Sequence, residues 1–451
     1  MNSEAAVPTL KCAEAWHSGL TAKHWRVLWG SYLGWIFDGY ETFALVVALP
    51  PALRSLLPAE DQSSGAIYAG LAIGLTLLGW GVGGLAGGVM ADYFGRKRMM
   101  LWSVFLYALL TGLTALSTSL AMLVAFRFLT GLALGAEWST GIALVAESWP
   151  DKARPKGLGL LQSGFGAGSF LAAGVWFVLS QTEPWGAETW RLLFVIGALP
   201  GLLVVYLMRM LEESERWLEA VREQRWDAVE GESATAPQSG NKKRPFTLTM
   251  LFRSPEARRR VFLTFLLSLS TTTGWWAVST WLPVYTEQLA LAQGKTAGIW
   301  GPRIALVYTF GALLSYMSSG FVADWLGRRP YLLCVFAGSL AINTLTYLWT
   351  GDLWTFTLIV FFNGVITLGL GYSWMAIYPV ELFTSTVRST AASVVFNGAR
   401  LIAWVFPIIA GTLVANFGGI SNAALILSSV YVIGLIVPWF LPETVGKPLP
   451  Q

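Results

Sequence analysis

The chain has 451 residues, of which 55% are hydrophobic and only 12% are charged. This charged fraction is about half that of an average soluble domain, so the composition excludes an ordinary soluble protein. A net charge of only +4 gives no reason to expect a nucleic-acid partner. Cys12 and Cys334 are the only cysteines, and His17 and His24 are the only histidines. We therefore expect no disulfide framework, no metal site and no cofactor.

Long apolar runs predict an all-α integral membrane protein with twelve transmembrane helices in two six-helix bundles. The approximate helix limits are 26–50, 65–91, 99–118, 120–147, 156–180, 190–210, 261–286, 302–325, 331–350, 353–379, 391–416 and 422–441. The corresponding division is an N-terminal segment (1–25), a first bundle (26–210), a linker (211–260), a second bundle (261–441) and a tail (442–451).

The distribution of lysine and arginine predicts the orientation of the chain in the membrane. If the N-terminus is cytosolic, 24 basic residues fall on the cytosolic side and 4 on the far side. The linker supplies 10 of the 24 and Arg209 just before it supplies one more; long loops count less, but the balance without these 11 is still 13 against 4. We therefore predict an inner-membrane protein with both termini in the cytosol.

The first helix carries two acids near the middle of its apolar run. Asp38 and Glu41 are three residues apart and so lie on neighbouring positions of one helical face. Asp38 is about 18 Å along the helix from Arg26, close to the membrane centre. A charged side chain at that depth is costly, so it usually faces a water-filled path or an ion-pair partner. We predict a transport site there, and a structural ion pair is the alternative explanation.

We expect three glycines of the second helix, and the linker as a whole, to have structural roles. Gly79, Gly83 and Gly87 have the four-residue spacing of close helix packing. In the linker, Glu212–Glu223 mixes charges with two apolar residues and is compatible with a surface helix. Glu230–Pro245 has almost nothing apolar to bury and is typical of a flexible connection.

Two motifs occur once in each half of the chain. Gly88–Lys97 follows the pattern Gly-x-x-x-Asp-x-x-Gly-Arg-Arg/Lys, and Gly320–Arg329 repeats it 232 residues later. Glu147–Arg154 is answered by Glu381–Arg388 at an offset of 234, with the same separation of glutamate and arginine. Two motifs with nearly one offset indicate a duplication. Such a repeat implies two bundles related by an axis along the membrane normal, with the substrate site between them.

The duplicated glycine–aspartate–arginine motif in a six-plus-six helix chain resembles that of the major facilitator superfamily. Asp38-Gly-Tyr-Glu41 resembles the Asp-Gly-x-Asp motif of proton symporters for aromatic acids and sialate-like organic acids. Gly135-Ala-Glu137-Trp138 and Phe396-Asn-Gly-Ala-Arg400 are similar to segments of the same group. The resemblance implies alternating access by a working monomer.

Three departures from known patterns accompany this resemblance. Glu41 stands where the aromatic-acid motif has aspartate. Thr384 replaces a proline common in sugar transporters, and Leu211–Leu218 is a degraded form of a sugar-porter motif. The last two disfavour a sugar porter.

The duplicated loops are predicted to form a cytosolic gate. Asp92 and Asp324 end helices, where a negative charge opposes the helix dipole and requires a cationic partner. Arg96 and Arg328 lie one turn away. The resemblance implies that these contacts hold the cytosolic side closed; topology signals combined with helix caps are the alternative. The predicted gate residues are Asp92, Arg96, Glu147, Arg154, Asp324, Arg328, Glu381 and Arg388.

Depth along the helices groups the remaining intramembrane charges. Glu137 and Arg400 each lie about 15 Å from a helix end, level with Asp38 and Glu41. One interpretation is an anion bound by Arg400, with Asp38, Glu41 or Glu137 taking up protons. The other is that Arg400 is permanently paired with an acid. Further candidates for substrate binding are Gln162, Trp275, Trp276, Asn363, Tyr372 and Asn397.

Together these features predict a proton-coupled importer of a small organic anion, such as an aromatic, sialate-like or other metabolite acid. Efflux, or sugar or amphipathic-drug transport, remains open because one fold supports many substrates. A membrane-embedded enzyme is disfavoured because the spans contain no histidine, metal set or nucleophile–base pair. A substrate sensor is less favoured because the chain ends soon after the last helix. The expected partners are the anion, protons and the lipid bilayer.

Overall fold

The computed structural model describes residues 15–203, 206, 212–223, 246–296, 298–416 and 418–450. The membrane helices are α1 (Ala22–Leu56), α2 (Ala59–Phe94), α3 (Arg96–Thr114), α4 (Leu120–Ser148), α5 (Arg154–Thr182), α6 (Trp190–Gly197, continued by Leu199–Leu203), α7 (Pro255–Ala292), α8 (Trp300–Leu326), α9 (Arg328–Leu348), α10 (Leu353–Glu381), α11 (Arg388–Asn416) and α12 (Ile420–Phe440). Ten of them are long and apolar enough to cross a membrane. The exceptions are α3, which opens on three basic residues, and the short described part of α6. The predicted twelve-helix architecture is confirmed.

Side-chain caps fix where several of these helices begin. Ser119 accepts a hydrogen bond from the backbone N–H of Met122 at the start of α4, at 3.2 Å. Asp352 accepts from two backbone N–H groups at the start of α10. Ser254 caps α7, and Pro255 follows at the first helical position, where no N–H is needed. These caps satisfy backbone donors that would otherwise lack partners at a helix start.

The N-terminal half (α1–α6) and the C-terminal half (α7–α12) meet along two pairs of helices, α5 with α8 and α2 with α11. Glycines permit the close approach. A Cβ atom on Gly320 of α8 would overlap the backbone of Pro155, and one on Gly84 of α2 would overlap the side chain of Asn397. Within the N-terminal half, Gly79, Gly83 and Gly87 all face α4. The predicted packing role of these three glycines is confirmed.

Four helices of the C-terminal half are irregular in their middle, among them α12, where Ser429–Val432 forms a 3-10 turn. In α7 the turn Ser279–Trp281 separates two helical segments. In α10, Gly364–Leu370 is π-helical. In α11 the helix Arg388–Phe396 ends and a new turn begins at Arg400. Irregular helices of this kind commonly surround binding sites in transporters, because they expose backbone and side-chain groups to a cavity.

Within the linker, a helix at Glu215–Arg222 agrees with the predicted surface helix. Glu230–Pro245, expected to be a flexible connection, lies outside the described residues, as does Cys12. The proposed limits of the segments and bundles stay a prediction. We call the end of the molecule that carries Arg96, Arg154, Arg328 and Arg388 the basic end, and the other the opposite end.

Candidate functional site

A small cavity of about 10 Å³ lies between the two halves, room for about one water molecule. It is lined by Trp35, Trp80, Gln162, Phe165, Trp275, Trp276, Tyr372, Phe396 and Arg400. Five of the seven predicted substrate-binding residues are among them: Gln162, Trp275, Trp276, Tyr372 and Arg400. Sequence reasoning missed Trp35, Trp80, Phe165 and Phe396. The available signal was helical spacing, since Trp35 is three residues before Asp38 and Phe396 is four before Arg400.

The guanidinium group of Arg400 lies between two aromatic rings. Its central carbon is 3.8 Å from the ring centre of Phe396 and 4.5 Å from that of Trp80. Phe396 in turn stacks on Trp138, with ring centres 3.7 Å apart and planes inclined by 16°. Trp80 and Trp138 belong to the N-terminal half, whereas Phe396 and Arg400 belong to α11. The stack therefore crosses the interface between the halves, and cation–π attraction orients the arginine.

No acid in the described part of the chain forms an ion pair with Arg400. Its Nη1 donates to the backbone carbonyl of Phe396 in its own helix. Its Nε is buried and has no hydrogen-bond partner among the described residues. An unpaired buried donor of this kind is costly, so the group is disposed to bind an acceptor that enters the cavity.

Other hydrogen-bond donors around the cavity are likewise unused. The side-chain oxygen of Gln162 accepts a hydrogen bond from the indole N–H of Trp138, at 3.1 Å. This contact leaves the amide nitrogen of Gln162 as its free group, and that nitrogen has no partner in the described structure. The same is true of the indole nitrogens of Trp35 and Trp80. The cavity wall therefore offers several N–H groups and suits a ligand rich in acceptors.

The three intramembrane acids have different surroundings. Neither carboxylate oxygen of Asp38 has a hydrogen-bond partner among the described residues. Glu137 lies against Gly34, one turn before Asp38 in α1, and its Oε2 is also unpartnered. Glu41 instead forms an ion pair with Arg127, at 2.9 Å. Among the described residues, Asp38 and Glu137 are thus buried intramembrane acids that form no ion pair, while Glu41 forms one.

A polar cluster surrounds the Glu41–Arg127 pair within the N-terminal half. Arg127 also donates to Thr111 and Thr114 of α3 and to Thr130 of its own helix. These bonds satisfy the guanidinium group inside the bundle, as a buried charge requires.

A neutral cluster occupies the corresponding place in the C-terminal half. The amide of Asn363 donates to Asn343 at 3.1 Å and to Thr346 at 2.9 Å. Asn343 and Thr346 lie 232 residues after Thr111 and Thr114, the offset of the duplicated loops. Asn363, predicted to bind substrate, is therefore placed in this cluster and does not line the central cavity.

Asn397, the remaining predicted binding residue, bridges the two halves beside the cavity. Its amide nitrogen donates to the backbone carbonyl of Gly135 in α4, at 3.3 Å, and to the hydroxyl of Ser393, at 3.1 Å. Its side-chain oxygen is buried without a partner among the described residues. Asn397 therefore fixes α11 against α4 immediately before the turn that carries Arg400.

At the basic end, buried ion pairs join the duplicated loops. Arg96 contacts Asp92 at 3.1 Å and Glu147 at 3.6 Å. Arg388 of the other half contacts Glu147 at 3.3 Å. Asp92 accepts hydrogen bonds from the backbone N–H of Thr390, at 3.0 Å, and from its hydroxyl. These contacts connect the first half to the start of α11.

The second copy of the loop makes corresponding contacts. Arg328 pairs with Asp324 at 2.9 Å and with Glu381 at 2.8 Å. Lys156 of the N-terminal half also contacts Asp324. Arg154 pairs instead with the nearby Asp151 and donates to a backbone carbonyl. Contacts between the halves thus close the basic end of the central cavity.

A further duplicated pair of acids, missed in the sequence, caps these loops. Glu213 accepts from the backbone N–H groups of Arg96 and Lys97 at the start of α3. Glu443 accepts from those of Arg328 and Arg329 at the start of α9. Burial would raise the pKa of Glu443, but these backbone hydrogen bonds lower it below its usual value.

The hydroxyl groups that follow these acids contact the gate glutamates. Ser214 bonds to Glu147, and Thr444 bonds to Glu381 at 2.5 Å. The signal in the sequence was a glutamate followed by a hydroxyl residue after α6 and again after α12.

At the opposite end, a vestibule of about 710 Å³ opens between α1, α5, α7 and α8. A narrow space of about 10 Å³ shares Val46 and Pro283 with this vestibule and Trp275 with the central cavity. The vestibule, the narrow space and the central cavity are therefore arranged in series. The structure is closed at the basic end and constricted, around Trp275, towards the opposite end.

Two six-helix halves around a central cavity, with duplicated loops closing one end, define a secondary transporter of the major facilitator superfamily. The chain belongs to the sugar (and other) transporter family, whose model matches residues 32–451. It is therefore a multi-pass membrane transporter and not an enzyme.

Full-length relatives and a solved structure agree with this assignment. The sialic acid transporter NanX of Escherichia coli is 25% identical over 441 residues, covering 96% of this chain and 98% of that protein. The cis,cis-muconate transport protein of Acinetobacter baylyi is 27% identical over 421 residues, covering 92% and 93%. The proton:xylose symporter XylE, solved with 6-bromo-6-deoxy-D-glucose, superimposes with a TM-score of 0.70 at 17% identity, covering 94% of this chain and 97% of that one. Because XylE is only 17% identical to this chain, its similarity shows a shared fold alone.

Proposed function

We propose that this transporter imports a small organic anion together with protons, by alternating access. Arg400 binds the carboxylate of the substrate, and the carboxyl groups of Asp38 and Glu137 carry protons. The chain acts as a monomer in the inner membrane, with the basic end and both termini in the cytosol.

The observation that carries the proposal is the surplus of unused donors around the central cavity. Arg400, Gln162, Trp35 and Trp80 all present N–H groups that have no acceptor among the described residues. A carboxylate supplies several acceptor positions and a negative charge, so it satisfies these groups better than an uncharged ligand does. A sugar brings hydroxyl donors as well as acceptors, and those donors would compete for the few acceptors of the wall.

Proton coupling is supported by Asp38 and Glu137, the two buried intramembrane acids that form no ion pair with a described residue. Each charged carboxylate in a membrane interior is costly, and protonation removes that cost. If Asp38 or Glu137 takes up a proton at one face and releases it at the other, the energetic cost of each conformation changes with proton loading. Glu41, paired with Arg127, is a further acid whose protonation would release that arginine.

The relatives support a carboxylate as the substrate. NanX is named for sialic acid and the Acinetobacter protein for cis,cis-muconate, and both are organic acids. The orientation rests on the basic residues, since lysine and arginine favour cytosolic loops.

Uptake into liposomes that contain the purified full chain tests this function. The panel contains labelled sialic acid, cis,cis-muconate, an aromatic monocarboxylate and xylose, each measured with and without an inward proton gradient. We expect at least one acid to accumulate under the gradient and to leak out when a protonophore is added. Protein-free liposomes are the control. If xylose alone is taken up under the gradient, the protein is a sugar transporter. If acid uptake is the same with and without the gradient, transport is not coupled to protons.

A further inference from the structure

A second, much larger groove lies on the membrane-facing side of α8 and α10, away from the central cavity. Its volume is about 620 Å³, within the range of small-molecule sites. It is lined by Phe170, Leu306, Val307, Phe310, Trp354, Thr357, Leu358 and Phe361. All but Thr357 are apolar, and Trp354 is 74% exposed. Because both helices are membrane spans, the medium that faces this groove is the lipid bilayer.

The walls of the groove are two parallel faces with the same helical spacing. Leu306, Val307 and Phe310 occupy one face of α8, at positions three, four and seven after Arg303. On α10, Leu358 and Phe361 follow Trp354 at four and seven residues. The face on α10 extends about 10 Å along its helix, and the face on α8 extends about 6 Å, or about 10 Å when measured from Arg303. The groove therefore runs with the helices, in the direction that an acyl chain takes in the bilayer.

Aromatic rings connect the two halves of the transporter across the groove. The ring of Phe170, on α5 of the N-terminal half, is 5.7 Å from that of Phe310. Phe310 is 6.3 Å from Phe361 on α10. A molecule in this groove would therefore contact both halves at once.

A cationic and aromatic rim lies at the end of the groove that is nearest the opposite surface of the membrane. Arg303 is exposed and forms no ion pair within the described residues. Its guanidinium carbon is 5.5 Å from the ring centre of Trp300, whose ring is 5.8 Å from that of Trp354. Tryptophan and arginine at this level are typical of the interface with lipid headgroups.

We propose that this groove binds one phospholipid, with an acyl chain between α8 and α10 and its phosphate on Arg303. The positive charge of Arg303 favours a phosphate group at the rim. The apolar walls favour an acyl chain between the two helices. The bound lipid bridges Phe170 of one half and Phe310 of the other.

Photo-crosslinking of the purified full chain tests the site. The probe is phosphatidylglycerol that carries a diazirine on one acyl chain, added to delipidated protein in detergent micelles. We expect adducts, located by mass spectrometry, on peptides that contain Phe170, Phe310 or Leu358. Arg303→Gln should lower the yield about fivefold, which corresponds to the binding free energy of one basic side chain at a lipid headgroup.

Matched controls separate this site from general lipid contact. Lys295→Gln removes another exposed basic residue at the same end and should leave the yield unchanged. Leu358→Trp fills the groove and should lower the yield, whereas Leu345→Trp, at an exposed leucine of α9, should not. Equal yields in all four variants, or adducts spread evenly over the membrane-facing helices, would overturn the site. Equal labelling by a diazirine fatty acid would overturn the phospholipid as its occupant.

Discussion

Arg400 is the residue on which an anionic substrate depends. Two aromatic rings and its own helix hold the guanidinium group, and no described acid forms an ion pair with it. The alternative explanation, a permanent pair with an intramembrane acid, has no support in these contacts. The planar guanidinium group of Arg400 is therefore available to form bidentate hydrogen bonds with a carboxylate.

Lysine and glutamine at position 400 should have distinct effects. Arg400→Lys keeps the charge but loses bidentate hydrogen bonding. Affinity for the transported acid should therefore fall by about ten- to a hundredfold, which corresponds to the free energy of one charge-assisted hydrogen bond. Arg400→Gln should abolish binding while the protein still inserts into the membrane. Binding to purified protein, measured by calorimetry, gives both numbers.

The ligand provides the control for Arg400. The uncharged amide of the transported acid should bind wild type weakly and should not distinguish wild type from Arg400→Gln. Equal affinity of wild type for the acid and its amide would contradict an anion-binding arginine. Loss of expression in Arg400→Gln, with affinity retained in the surviving protein, would indicate a structural role.

Asp38 should carry the proton that couples transport to the gradient. Asp38→Asn removes the titratable group, so accumulation driven by a proton gradient should be lost. Exchange of internal for external substrate should survive, because it requires no net proton movement. Both are measured in the same liposomes, with Glu60→Gln, at an exposed acid of the opposite end, as the control. Full accumulation by an Asp38→Asn, Glu137→Gln double variant would remove these acids from the mechanism.

At the level of residues, charge and polarity were predictable, and aromatic packing was not. Arg400 and Gln162 stood out because polar side chains are rare and costly within a membrane. Trp80 and Phe396 did not, because aromatic residues form 14% of this chain and most of them pack or lie at interfaces. Only the fold brings Trp80 of α2 over Arg400 of α11.

At the level of elements, the first turn of α11 connects the gate to the other half. Asp92 binds the backbone N–H of Thr390, so the aspartate lies at the start of this helix, where the dipole favours a negative charge. The sequence had placed Asp92 only at the unfavourable end of its own helix. The duplication predicted the loops, but it did not predict which element of the other half they would contact.

Replacing Asp92 with asparagine should open the basic end. The change removes one charge from a buried pair and leaves Arg96 without full compensation, which favours conformations in which water reaches it. A cysteine at Ser393, buried against α2 in the closed state, should then react faster with a water-soluble maleimide. The native cysteines are replaced first. Glu219→Gln, an exposed acid at the same end, is the control, and unchanged labelling in both Asp92→Asn and Asp324→Asn would leave these motifs as topology signals.

Across the whole molecule, the duplication visible in two sequence motifs extends to the capping acids and to the buried polar clusters. Glu213 and Glu443 cap equivalent helices, and Thr111 and Thr114 correspond to Asn343 and Thr346. The sequence showed the offset, but short polar residues at scattered positions carried too little pattern to be matched. Their equivalence becomes visible when the two bundles are compared in space.

The charged cluster of one half and the neutral cluster of the other imply unequal freedom to mutate. Arg127→Leu would leave Glu41 buried and unpaired, at a cost of about 3–5 kcal/mol. Asn343→Leu would leave one amide hydrogen of Asn363 buried without an acceptor, at a cost of about 1–3 kcal/mol. A library of single substitutions, sorted by the amount of full-length protein in the membrane, should therefore be depleted more strongly around Glu41 and Arg127 than around Asn343 and Asn363. Equal depletion would mean that the pair is no harder to replace than its neutral counterpart. After duplication, one copy has kept a pair whose members must change together, while the other has been left able to drift one residue at a time.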